Sequence, residues 1–500
     1  MRSILVIAAA TAALAGCAAT APRPPAGPAP VTLTILQIND VYEITPVENG
    51  RWGGLARVAT LREQLLNEDP DVVTVIAGDF FSPSAIGTAR VDGERLNGRQ
   101  MVAVLNVLGL DLAAFGNHEF DLDEASFRAR LQEAGFRFLS ANAFEADGRP
   151  FPGVPRDTVL VVTDAGGTAR IGFTGVVLGS TPKPYVSYTD PLAALAERVA
   201  ALGPRTDALL ALTHLALADD IAAAERLPAL DLIMGGHEHE NVDVRRGPGL
   251  TPIRKADANA RTAWVHRLRI WPAADRVEID SELVPITDAL NEEPRVAAEV
   301  SRWVEAGYAG FRDAGFDPDR VVATTTEALD GREATVRARP APLGSLIAEA
   351  YLRMAAGAGA APELAFFNGG SIRIDDVLPA GAVTEYDVIR LLPFGGSVLT
   401  LDIAGATLDS VLTQGLANHG SGGFLQHHGV AEAPAGGWLV AGAPLDRGRT
   451  YRVTTSDFLV SGREAGLAYL NAETNPNVRL LATHGDVRQA VIDELARRFP

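Results

Sequence analysis

The sequence predicts an α/β protein of two units: a layered domain of short buried strands and amphipathic helices, joined by a helix to an α+β domain. Three observations predict it. Short apolar, β-branched runs recur from Val31 to about Ile286, with helix-compatible stretches between several of them. One long amphipathic stretch, 292–315, is closed by glycine and proline at 315–318. The remainder, 321–500, mixes strands with helices and does not repeat the first half. A chain of 500 residues exceeds one ordinary domain, and 47% hydrophobic against 21% charged residues supplies a sizeable core.

The elements follow in order. "MRSILVIAAATAALAGC" has Arg2, an apolar stretch, and small residues before Cys17, the single cysteine. It is too short for a spanning helix and reads as a secretory signal, 1–16. "APRPPAGPAP" completes 17–30 as an extended, semi-rigid tether. With one cysteine there is no disulfide within a monomer and no cysteine-based zinc site. Strands are expected at 31–38, 71–78, 112–116, 137–142, 170–177, 208–214 and 230–236, and helices at 54–67, 98–108 and 190–202. The first domain then covers 31–288, the linker 289–320 and the last domain 321–500, with strands at "LAFFNGG", "SVLTLDI" and "YRVTTSDFLV" and helices at "GSLIAEAYLRMAA" and "DVRQAVIDELARRF".

The chemistry lies where those strands end. Asp40 follows "TILQIN", Asp79 follows "VTVIAG", Asn117 and His118 follow "AAFG", His214 ends "LLALTH", and His237 and His239 follow "LIMGG". Open α/β sheets bind ligands at the carboxyl ends of their strands, so one sheet edge is expected to gather two aspartates, an asparagine and four of the nine histidines. Carboxylate, amide oxygen and neutral imidazole suit first-row divalent ions such as Mn, Zn or Co. Two such ions acidify a water and neutralise a phosphoryl group. They also supply local positive charge that a chain of formal charge -18 otherwise lacks. The same acidity argues against a nucleic-acid polymer as partner.

The series "ND…GD…GNHEFD…TH…GHEH" resembles the calcineurin-like metallophosphoesterases, in the spelling of the 5′-nucleotidase, UDP-sugar hydrolase and 2′,3′-cyclic nucleotide phosphodiesterase branch. The resemblance implies a layered β-sandwich with flanking helices and two divalent ions. It implies that Asp79 bridges them, that Asp40 and His239 serve one, and that Asn117, His214 and His237 serve the other. His118 corresponds to the family's catalytic histidine and Asp121 to its orienting carboxylate, while Glu119 has no ligand role. The chain departs from the family at "NDVYEI", where Tyr42 stands in place of a histidine ligand. Tyr42 ligates as phenolate or only donates a hydrogen bond; Glu43 is a further substitute. The segment before Cys17 resembles a bacterial lipobox, which implies acylation of that cysteine and an outer-membrane lipoprotein facing the periplasm, with no other membrane contact.

In the second half, "FFNGGSIR" offers Arg373 for bidentate pairing with phosphate, and Phe394 in "LLPFGGS" can stack a base. "TTSDFLVSG" supplies a second aromatic, Phe458, and Arg337 with Arg339 precede a helix. Together these resemble the family's C-terminal substrate domain, in which Arg337, Asn368 and Arg373 would hold phosphate or ribose and Phe394 and Phe458 would sandwich the base. "SGGFLQ" (421–426) resembles a loop near that pocket. Here "SGREAG" places Glu464 where the family has a ribose-binding aspartate; His427 and His428 either line the pocket or lie on the surface. The expected function is release of phosphate from small nucleotides. UDP-sugars, cyclic nucleotides, sugar phosphates or sulfur-group esters are alternative substrates, and a non-catalytic nucleotide-binding protein is the alternative of another class.

Overall fold

The strand Val31–Ile38 runs through the middle of the first half and explains its architecture. It pairs antiparallel with Thr262–Trp271 and parallel with Val72–Ala77. The sheet around it has six strands in the order Arg276–Pro285, Thr262–Trp271, Val31–Ile38, Val72–Ala77, Leu112–Ala114, Arg137–Leu139. A second six-stranded sheet runs Asp157–Asp164, Gly167–Val177, Ala208–His214, Leu232–Gly235, Thr251–Lys255, Val242–Arg246. This is the computed structural model of the chain, and it describes residues 29–434 and 436–500.

The two sheets pack face to face. Leu33, Ile35, Val75 and Ala114 of one meet Ile171, Phe173, Leu210, Leu212 and Met234 of the other. The alternate side chains Leu36, Ile38 and Ile76 turn outward beneath the helices Leu55–Glu68 and Arg99–Leu108. Burial on both faces is why these strands read as continuous apolar runs rather than as an alternation.

The connecting helix is Pro294–Asp313. Its start is capped by the Glu293 carboxylate, which accepts from the Arg295 and Val296 backbone N–H groups. Val296, Val300, Trp303 and Phe311 bury one stripe, and Gly315 (φ 90°) follows its end. The second half carries a five-stranded sheet, Leu425–His428, Leu364–Asn368, Thr450–Ser456, Ser397–Ala404, Val478–Asp486. Helices Pro342–Gly357 and Val487–Arg498 cover one face, and Gly405–Ala417 packs on the other.

Three expectations are revised. The strand-end residues do not share one sheet edge: Asp40, Asp79 and Asn117 come from the first sheet, His214 and His237 from the second. The antiparallel strands Thr262–Trp271 and Arg276–Pro285 were not anticipated, and they make the first sheet mixed. "YRVTTSDFLV" is not one strand; after Ser456 it turns into the short helix Asp457–Val460, which carries Phe458. Cys17 and the first 28 residues, hence the signal and most of the tether, lie outside the described residues. Among the described residues no helix is long and apolar enough to cross a membrane.

The two halves meet at a polar seam. Tyr386 donates through its hydroxyl to Glu43 Oε2 (3.3 Å), Arg390 lies 3.8 Å from Glu43, and Arg261 lies 3.4 Å from Asp376. Glu43 is therefore committed to the domain interface and is not a substitute metal ligand.

Candidate metal centre and active site

The ligand-type residues sit at abrupt turns. Asp40, Asp79 and His237 all have left-handed backbones, with φ of 51°, 57° and 85°. Such conformations are uncommon outside glycine and concentrate at functional sites. Each turn swings the side chain off the strand end toward the seam between the sheets. Glycines make room for this convergence: a Cβ at Gly116 would stand 2.1 Å from Asp79 Oδ1, and Gly78 (φ 81°) would meet the Gly116 nitrogen at 2.5 Å.

Asp40, Asp79 and His214 are buried and offer ligand atoms within 4.8 Å of one another. His214 Nε2 lies 3.1 Å from Asp79 Oδ2, and its Nδ1 donates to the Ala77 carbonyl at 2.8 Å. In that tautomer Nε2 is a bare lone pair facing a carboxylate. It and Asn117 Oδ1 are buried without a hydrogen-bond partner. Two buried acceptors without donors, one of them 3.1 Å from a carboxylate, call for a cation, so the residues present fit divalent ions. The electrostatics agree. Against the burial that opposes it, the Asp79 and Asp40 carboxylates drive the His214 pKa up to about 10. The imidazole thus takes a proton where an ion would otherwise supply the charge. His237 is pushed down to about 4, by burial first and by His214 second, which favours its neutral imidazole. Asp79 is held below the usual carboxylate range despite burial, by His214 and His118; burial raises Asp40.

Tyr42 occupies the centre of this group. Its hydroxyl lies 3.1 Å from His239 Nε2, 3.3 Å from Asp79 Oδ2 and 3.4 Å from Asp40 Oδ1. Burial, then Asp79 and Asp40, hold it as a phenol well above the ordinary tyrosine range. All three are hydrogen-bond distances.

His118 and Asp121 form the expected pair, with Nδ1 2.7 Å from Oδ2. Ser82 Oγ donates to the same carboxylate oxygen at 3.2 Å. Glu119, one residue on from His118, is fully buried and does a different job. It accepts from the backbone N–H groups of Phe80 (2.7 Å), Asp79 (2.9 Å), Phe81 (3.0 Å) and Gly116 (2.5 Å), locking the two ligand loops together. Glu238, between His237 and His239, is likewise anchored from beneath: Lys255, fully buried, binds it together with Asp220 at 2.8 Å and the Leu215 carbonyl at 2.7 Å. Sequence reasoning did not anticipate this anchor, because Lys255 ends the short polar strand Thr251–Lys255, directly after Arg254.

One cavity of about 250 Å³ is shared by both halves. Tyr42, Asp79, Asn117, His118, His237 and His239 line one side; Arg337, Arg373 and Asp375 line the other. Arg337 Nε and Arg373 Nε are also buried without partners. Burial first, and then Arg373, pull Arg337 down to about 10. Glu464 is brought to the same group: it bonds Asn368, lies close to both arginines, and is raised by burial. Gly422 reaches the cavity from the "SGGFLQ" loop, and Gln426 donates to the Val336 and Arg339 carbonyls, bracing Arg337. Phe394 is 46% exposed with the Arg373 guanidinium 5.5 Å from its ring centre; Arg463 stands over Phe458 at the same 5.5 Å. His427 packs its edge on Trp438 and His428 reaches Ser345, so neither lines the cavity.

Known proteins share both halves. Residues 33–241 match the calcineurin-like phosphoesterase family and residues 321–469 match the 5′-nucleotidase C-terminal domain. The trifunctional nucleotide phosphoesterase protein YfkN of Bacillus subtilis is 25% identical over 88% of this chain, which spans about a third (32%) of that protein. The 5′-nucleotidase of Bos taurus is 25% identical over 87% of this chain and 83% of its own. A 5′-nucleotidase precursor from Thermus thermophilus has the same fold, with a TM-score of 0.77, 24% identity, and coverage of 94% and 97% of the two chains. The sulfate thiohydrolase SoxB from a Thermus species shares it at a TM-score of 0.69, 16% identity and 95% coverage of each. The chain belongs to the calcineurin-like phosphoesterases that carry a 5′-nucleotidase C-terminal domain, phosphoric ester hydrolases that use divalent metal ions.

Proposed function

We propose that the protein releases phosphate from nucleotides, as a 5′-nucleotidase does, with Asp79 shared between two ions, Asp40, Tyr42 and His239 completing one set of ligands and Asn117, His214 and His237 the other. One observation carries the reading: the orphaned acceptors Asn117 Oδ1, on one wall of the cavity, and His214 Nε2, against Asp79 of that wall, call for cations, while on the facing wall Arg337 and Arg373, which share the Glu333 carboxylate, keep their Nε–H groups free for an anion. A phosphate monoester held between ions and arginines satisfies both.

Divalent ions, when bound, supply Lewis acidity, neutralising phosphoryl oxygens and acidifying solvent. The remaining work belongs to side chains. Arg337 and Arg373 grip the phosphoryl oxygens and orient the ester. Asp121 accepts from Nδ1 of the His118 ring and orients it, so that the imidazolium form of the ring gives its second proton, on Nε2, to the leaving oxygen. Phe394, Phe458 and Glu464 then bear the nucleoside. Arg463 over Phe458 favours, as the second reading, a nucleotide with an additional phosphate, such as a UDP-sugar. The Leu14–Cys17 segment supports export and lipid anchoring; mass spectrometry of the mature N-terminus tests it, and an unacylated Cys17 rejects it.

The test of function is a phosphate-release screen over nucleotides, UDP-sugars, cyclic nucleotides and sugar phosphates with Mn, Co, Zn and Mg. His118→Ala is expected to lose roughly 10²–10⁴-fold in turnover while retaining its ions. Wild-type turnover in that variant rejects the proton-donor role, and no phosphate release from any substrate rejects the function.

A further inference from the structure

We infer that Asp375 is a positioning residue through which the C-terminal domain becomes part of the metal centre, so that ion binding and the docking of the two domains reinforce each other. The inference rests on the metal reading above. Its basis is a contact across the domain seam. His239 turns Nε2 toward Tyr42 and Asp40 and gives its other nitrogen, Nδ1, to Asp375 Oδ2. Asp375 belongs to the other half of the chain, 136 residues away.

The carboxylate is built to hold that place. Its second oxygen, Oδ1, accepts from the Glu333 backbone N–H at 2.8 Å, and its own backbone is left-handed, with φ 39°. The pair is only 19% and 14% exposed. A carboxylate on the far nitrogen of a ligating imidazole fixes the ring's tautomer and aim and makes it a better donor. Other ligands find their outer partners nearby: His214 uses the Ala77 carbonyl and Asp40 the Asn39 amide, both from the first domain. His239 alone among these takes its partner from the second domain. Asp375 also lies two residues beyond Arg373, which lines the cavity. Bringing the arginine to the ions therefore brings the carboxylate to the ligand. Equilibrium couplings are reciprocal, so if docking tightens the ion, the ion tightens docking by the same factor.

The experiment uses the full chain stripped of metal and titrated with Mn²⁺ against a fluorescent chelator, beside hydrogen exchange with and without Mn²⁺. Asp375→Asn, of equal size, is expected to weaken one Mn²⁺ site roughly 10–100-fold and leave the other within about twofold. Asp375→Glu recovers part of the loss. Mn²⁺ is expected to slow exchange at 371–377 in the wild type and not in Asp375→Asn. Unchanged affinity at both sites overturns the inference. So does exchange at 371–377 that ignores Mn²⁺ in the wild type, a result that stands even if the variant fails to fold. A wild-type chain that takes up no Mn²⁺ at all rejects the metal reading itself.

Discussion

Replacing Glu119 by Gln tests whether that buried carboxylate, and not the strands alone, shapes the site. The wild-type side chain accepts four backbone N–H bonds, two on each oxygen. Glutamine keeps one oxygen and turns an NH₂ group toward the other two donors. Those N–H groups are then buried and unpaired, at about 1–3 kcal/mol each, so the change costs about 2–6 kcal/mol. That is a large fraction of the roughly 5–15 kcal/mol that holds a domain together. In a domain of this size each kcal/mol moves the midpoint roughly 2–4 °C, so the first-domain transition should fall by about 4–24 °C. The loops of Asp79 and Asn117 are the ones released, so metal uptake falls with it. Differential scanning calorimetry and metal content by plasma spectrometry measure both. A Glu119→Gln protein that melts within about 2 °C of wild type and binds the same metal refutes the argument that these four bonds organise the site.

Further expectations follow from the same geometry. Tyr42→His should change the preference among Mn, Zn and Co while phosphate release persists; an inactive, metal-free variant counts against Tyr42 as a ligand position. Arg337→Ala and Arg373→Ala should raise KM for a phosphate ester and lower kcat, without altering metal content. Gly116→Ala forces a methyl to 2.1 Å from Asp79 Oδ1, so metal content should drop; full metal content in a folded variant contradicts the packing argument. Asp231 is raised to about 6, by burial first and by Asp275 also, above its unfolded value of 3.8. A raised carboxyl favours folding below the unfolded pKa and loses that contribution as pH rises. Stability should thus decline between about pH 4 and 6, and Asp231→Asn should remove that slope in calorimetric scans.

Much of the molecule was legible from local pattern. The strand Ala208–His214 fell where its apolar run did, and the helix Pro294–Asp313 followed its stripe and ended before the glycine and proline at 315–318. The ligand types after each strand were equally visible, because a polar residue at the end of a buried run needs a reason. Long-range partnership was not. Nothing local distinguishes Asp375, reaching His239, from Asp376, reaching Arg261. Glu119 acts through backbone N–H groups of other loops, and Lys255 through the carboxylates of Asp220 and Glu238 and the Leu215 carbonyl, partners that no spacing records. The strand Thr262–Trp271 alternates apolar residues with His266, Arg267 and Arg269, so it reads more weakly than a strand buried on both faces.

The distribution of the ligands along the chain has a consequence for biogenesis. They are drawn from strand ends spread from residue 40 to residue 239, on two sheets that must face each other before the full set of donors meets. A nascent or half-folded chain presents only scattered, weak donors. The choice of ion is therefore made late, by whichever cations surround the protein in the place where its first domain finishes closing.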